Sequence, residues 1–169
     1  MGQNKFNSVG KVLEVLFENM PKKFTVREIS SQTKIPKSTV HKILGQLRDK
    51  GLINKDNSSK NNLQFHVRKI NHFTEKIVDS GLIDGIIKDF NPSLIILFGS
   101  IRKGESTRDS DIDIFIESNL RKDIDLSRYE KKLGHKIQLL IESRIQEVHN
   151  NLFNNIINGI KLYGSLKLK

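Results

Sequence analysis

The chain has 169 residues, and its 29 Lys and Arg against 19 Asp and Glu leave a formal charge of +10. Mean hydropathy is −0.42, the longest clean apolar run is about Leu94–Phe98, and a spanning helix needs about 20 apolar residues, so a membrane bundle is excluded. There is no cysteine, so disulfides and Cys-based zinc sites are excluded, and the five histidines stand at no metal-ligand spacing. Residues 1–8 are polar and carry no apolar leader-type stretch; the expectation is a cytoplasmic protein with no membrane partner.

The charge is distributed unevenly. Residues 1–70 hold 14 Lys and Arg against 5 Asp and Glu, whereas residues 71–169 are almost balanced, with 15 against 14. A basic first part beside a neutral second part suggests a polyanion-binding module joined to something else. The domains expected are 1–70 and 71–169.

In chain order, Val9, Val12, Leu13, Leu16 and Phe17 have the spacing of one helical face, and Pro21 ends that helix. Thr25-Val26-Arg27-Glu28 has the form of a capping box, opening a short helix to about Thr33. Lys34-Ile35 turns, and Pro36 suits the first position of a further helix buried through Val40, Ile43, Leu44 and Leu47, with Gly51 as its stop. Leu52–Lys55 and Leu63–Arg68 read as the two strands of a hairpin around a polar turn.

Helix, helix-turn-helix and hairpin form the order of a winged helix-turn-helix unit, and the run from Thr25 to Ile53 resembles the core of winged-helix transcription regulators. The resemblance implies a partner in double-stranded DNA, with the second helix of the turn entering the major groove. Opposite that helix's apolar face, Ser38, Thr39 and His41 are placed for base edges and Lys37 and Lys42 for phosphates, with Lys55 and Lys60 of the hairpin on the flanking backbone.

Phe73, Ile77, Val78, Leu82, Ile86, Ile87 and Phe90 predict one helix, weakened at Gly81 and Gly85 and stopped by Asn91-Pro92. Leu94–Phe98 reads as a strand buried on both faces, ended by Gly99-Ser100. Ten residues later Asp111-Ile112-Asp113 opens another strand, Ile114-Phe115-Ile116. Residues i and i+2 of a strand share a face, so Asp111 and Asp113 project together. Two ionised carboxylates side by side repel unless a divalent cation lies between them, and hard oxygen ligands suit Mg²⁺ with substrate phosphates. Gly99 admits close approach of a phosphate, the Ser100 hydroxyl can donate to it, and Arg102 and Lys103 can offset its charge.

Gly-Ser, ten residues, Asp-x-Asp resembles the signature of the DNA polymerase β-like nucleotidyltransferases, and the run from Leu97 to Ile116 resembles their minimal branch, which includes antitoxins paired with HEPN-domain toxins. The resemblance implies a small mixed sheet flanked by helices, Mg²⁺ and ATP as cofactor and donor, transfer of a nucleotidyl group to a hydroxyl, catalytic and metal-binding roles for Asp111 and Asp113, and nucleotide binding by Gly99, Ser100 and Arg102. The fold class expected for the whole chain is α+β, a winged helix-turn-helix followed by a small mixed-sheet nucleotidyltransferase-like domain. A HEPN-like partner and a non-catalytic regulatory role are the alternatives.

One position departs from that family's pattern. The strand His135–Ile141 matches the one that supplies a third carboxylate, and Gln138 stands at the expected aspartate. An amide is a poor Mg²⁺ ligand and no base, which puts catalysis in question. Glu142 shares the face of Gln138 but lies four residues on, about 13 Å at ~3.3 Å per residue; Asp109 and Glu105 are other candidates. Asp123, Asp125 and Glu130 read as a solvated helix start, and Tyr129 and Tyr163 as packing residues.

Overall fold

The computed structural model describes residues 3–167. The chain divides into two compact units, one ending at His72 and the other beginning at Phe73.

In the first unit, α1 (Gln3–Glu18), α2 (Val26–Thr33) and α3 (Lys37–Asp49) pack on one another through Val12, Leu16 and Phe17, through Ile29, and through Val40, Ile43, Leu44 and Leu47. The capping box forms as expected. The Glu28 amide donates to Thr25 Oγ1 at 3.2 Å, and the Thr25 amide donates to Glu28 Oε2 at 2.7 Å. Lys34 ends α2 in the left-handed region (φ 59°), which aims α3 away from α2, and Pro36 sits one residue before α3, at its cap.

The expected hairpin is corrected. Only its first half forms: Ile53 bridges Ser59, the Asn54 amide donates to the Ser58 carbonyl, and the Lys60 amide donates to the Leu52 carbonyl. Asp56 at the tip is pulled down to about 2 by hydrogen bonds from Ser58 and by Lys23. The second run, Leu63–Arg68, belongs to a helix, α4 (Leu63–Asp79). Asn62 starts it by accepting the Phe65 amide and donating to the Gly51 carbonyl. The alternation Leu63, Phe65, Val67 misled because the three are not equivalent. Phe65 is buried edge-on against Phe17, with ring centroids 5.0 Å apart, while Leu63 is 80% and Val67 45% exposed. Phe65 and Lys69, four apart, form the buried face, and burial holds the Lys69 ammonium down to about 8 despite Glu18.

The predicted single helix over 73–90 is likewise two, the second being α5 (Leu82–Phe90). The chain breaks at Gly81, whose φ of +82° lies where an L side chain is strained. Gly85 stays inside α5 because a Cβ there would meet the Tyr129 hydroxyl.

The second unit is built on a four-stranded mixed sheet of order β3-β2-β1-β4. β1 (Leu94–Phe98) is central, buried at all five positions, and antiparallel to both β2 (Ile112–Glu117) and β4 (Ile160–Gly164). A five-residue helix, α6 (Gly99–Lys103), follows β1, and α7 (Ser127–Leu133) carries the chain from β2 to β3 (Ile137–Glu142), which runs parallel to β2. A 3₁₀ turn (Ile145–Glu147) and α8 (Asn150–Ile157) bring Ile145, Val148 and Ile156 onto Leu94, Ile96, Phe98 and Phe115, one face of the sheet. Asp125 accepts the Ser127 amide beside α7, and Tyr129 is buried, as expected, whereas Tyr163 is 41% exposed. No helix among the described residues is long and apolar enough to cross a membrane.

The capping box is local and exposed, so its worth can be read without disturbing the core. Thr25→Ala should lower unfolding stability by about 1 kcal/mol in denaturant titration, with an unchanged far-ultraviolet spectrum at low denaturant.

Candidate functional site

Strand pairing assembles the candidate site of the second unit. In the antiparallel register of β1 and β2, Phe98 lies opposite Asp113, so the chain leaves β1 at Gly99 directly beside that carboxylate. Gly99 has φ +73°, and a Cβ on it would lie 1.9 Å from Asp113 Oδ2. Glycine is therefore required twice, by the backbone angle and by the carboxylate packed against it. Ser100 and Arg102 follow in α6, both half-buried, while Lys103 is exposed.

On the other side of β2, the parallel register sets Gln138 opposite Asp113. The Gln138 side chain reaches one step further: its Nε2 donates to Asp111 Oδ2 at 2.5 Å. Asp111 and Asp113 are both half-buried and share one face, separated by the buried Ile112. Burial raises the Asp113 carboxyl above its ordinary range, and the neighbouring charge of Asp111 raises it further.

Glu142 is removed as a substitute third carboxylate. β3 keeps its register to the end, so Glu142 lies opposite Glu117, and it pairs with Arg121 at 3.5 Å. Asp109 and Glu105 are exposed in the segment after α6. Among the described residues no three His, Cys, Asp or Glu side chains gather as a metal cluster. The donor set is thus two carboxylates in mutual repulsion, one of them packed against the backbone of Gly99. It fits one hard divalent cation completed by phosphate or water oxygens, and lacks the charge for a second.

Sequence reasoning singled out Asp111, Asp113, Gly99 and Ser100 by motif; the structure packs Gly99 against Asp113, sets Asp111 beside Asp113, and starts α6 with Gly99 and Ser100. It missed His135, which is buried, with Nδ1 2.7 Å from the Ser110 carbonyl oxygen. A lone histidine ahead of an apolar strand carries no sequence signal for such a role.

In the first unit, Lys37, Ser38, Thr39, His41 and Lys42 are all exposed on α3, on the side away from Val40, Ile43, Leu44 and Leu47. Lys60 is half-buried at the base of the short turn and Lys55 is exposed within it. A cavity of about 360 Å³ at the start of α3, lined by Ser8, Lys11, Lys34 and Thr39 among others, adds two lysines that the helical pattern did not single out.

With these features in hand, comparison with protein families gives two matches. Residues 80–161 match the nucleotidyltransferase domain, and residues 11–71 match the sugar-specific transcriptional regulator TrmB. No curated protein and no solved structure matches the chain. The two matches fall in the expected order, a TrmB-type winged-helix regulator domain followed by a nucleotidyltransferase domain.

The carboxylate pair has a testable electrostatic consequence. An Asp113 carboxyl raised above its unfolded-state value is a destabilising term present above the raised pKa, and it is relieved as pH falls through that value. Asp111→Asn, which keeps an acceptor for Gln138, should lower the Asp113 pKa in a carbon-detected NMR titration and raise the melting temperature at neutral pH. An unmoved Asp113 titration would mean that the two charges do not interact.

Proposed function

We propose that this protein is a DNA-binding regulator whose nucleotidyltransferase domain is a receptor for a Mg-nucleotide, ATP in the first instance, and binds it without transferring it. The observation that carries the reading is the hydrogen bond from Gln138 to Asp111. In the resembled family a third carboxylate stands where this amide stands. An amide takes no proton from an attacking hydroxyl and adds no negative charge for a second cation, and two-metal transfer needs both ions.

Asp111 and Asp113 would hold the cation. Bound there, Mg²⁺ would supply charge neutralisation for the phosphates of the nucleotide. Gly99, packed against Asp113, would bring the phosphates beside the cation, the Ser100 hydroxyl would donate to their oxygens, and Arg102 would offset charge at the outer end. In the first domain, Ser38, Thr39 and His41 would meet base edges and Lys37, Lys42 and Lys60 phosphates, an assignment supported by the exposure of the α3 residues and the basic excess of residues 1–70.

Two predictions test the two halves separately. Duplex DNA should bind at low salt with log affinity falling linearly in log salt, because each phosphate neutralised releases about 0.9 counterion. Lys37→Ala and Lys42→Ala should each reduce that slope by about one. No binding at low salt would overturn the DNA reading.

For the second half, calorimetry should show ATP binding that requires divalent metal and is lost in the Asp111→Asn, Asp113→Asn double variant. Incubation with labelled ATP and Mg²⁺ should give no transfer by the natural protein. Gln138→Asp should tighten metal binding and still give no transfer. Robust transfer by the natural chain would overturn the receptor reading, and ATP binding undiminished in the double variant would place the nucleotide elsewhere.

A further inference from the structure

We propose that His135 is a positioning residue for the carboxylate pair, holding Asp111 in place through the backbone of Ser110. The inference rests on the reading of Asp111 and Asp113 as the cation-binding pair.

Asp111 lies just before the paired part of β2, where strand hydrogen bonding alone does not hold it. Three residues from the start of β3 tie the chain there instead. The His135 ring meets the Ser110 carbonyl oxygen at 2.7 Å, the Gln138 amide meets the Asp111 carboxylate, and the Lys136 carbonyl accepts the Ile112 amide at 2.8 Å. The Ser110 carbonyl can only accept, so His135 Nδ1 carries the proton and donates. The ring is 5% exposed and stands edge-on to Phe73, with centroids 5.5 Å apart, which fixes its plane.

Ser110 also closes a turn with Thr107: the Thr107 amide donates to Ser110 Oγ at 2.9 Å, and the Ser110 amide donates to the Thr107 carbonyl at 3.1 Å. His135 thus joins that folded turn to the sheet at the residue before Asp111. The bonds from His135 and Gln138 differ in kind. A cation on Asp111 competes with the Gln138 amide for the carboxylate, whereas the His135 bond is to backbone and meets no such competition. With the backbone bond between Ile112 and Lys136 on the other side, it keeps Asp111 beside Asp113 when the Gln138 bond gives way.

The test uses the full-length chain with two readouts: Mn²⁺ affinity, and the side-chain amide NMR signals of Gln138 without metal, which report where the Asp111 carboxylate sits. His135→Leu keeps bulk and removes the donor; His135→Asn keeps a donor at the Nδ1 position. His135→Leu should weaken Mn²⁺ binding by about 10–100-fold, as loss of partners that orient metal ligands does, and move the Gln138 signals toward those of a free amide. His135→Asn should recover both. Should His135→Leu not fold, His135→Gln takes its place, because its amide falls at the Nε2 position away from Ser110. A folded donor-less variant with unchanged Gln138 signals and Mn²⁺ affinity overturns the proposal. So do equal losses in the Asn and donor-less variants, which would reduce His135 to packing. If only the underlying reading fails, the natural chain binds no Mn²⁺, and the Gln138 signals still decide whether His135 positions Asp111.

Discussion

The pairing of Phe98 with Asp113 is the constraint on which the second domain's site depends. β1 is five apolar residues buried on both faces, so it has no freedom to slip without exposing its side chains or burying polar ones. That register delivers Gly99 to the side of the Asp113 carboxylate, and the contact tolerates nothing larger than hydrogen at Cα. The glycine and the aspartate are fourteen residues apart in the chain and adjacent because a hydrophobic strand dictates their alignment.

The second register, β2 against β3, determines how much charge the site holds. It sets Gln138 opposite Asp113 and carries Glu142 to the level of Glu117, where Arg121 takes it up. With a carboxylate at position 138, three negative groups, Asp111 among them, would converge, a repulsion that bound cations relieve. With an amide there, one negative group receives a hydrogen bond instead. The same backbone thus supports a site with less negative charge, which is the basis for proposing a receptor.

The first domain shows a different balance. Its helices follow from caps and apolar spacing, and its basic side chains lie on the exposed side of α3 because Val40, Ile43, Leu44 and Leu47 claim the other side. Its departure from expectation is the short wing. Asn62 offers a helix cap within two residues of the last hairpin hydrogen bond, and Phe65 is buried against Phe17 in the helix that follows. Local capping and packing outweigh an alternation of three apolar residues.

Sequence alone determined the features whose causes are local or strictly periodic: the capping box at Thr25, the apolar faces of α1 and α3, the buried strand Leu94–Phe98, the glycine that ends it, and the same-face placement of Asp111 and Asp113. Each depends on side-chain chemistry within a few residues, or on a period of 2 or 3.6. Tertiary structure alone decided that Leu63–Arg68 is helix, because burial of Phe65 against Phe17 is a contact across nearly fifty residues. It alone decided the surroundings of Asp111, since Gln138 reaches the Asp111 carboxylate and His135 the Ser110 carbonyl only because β3 pairs in parallel with β2. Strand register is a property of two segments and the core between them, and no single stretch of chain encodes it.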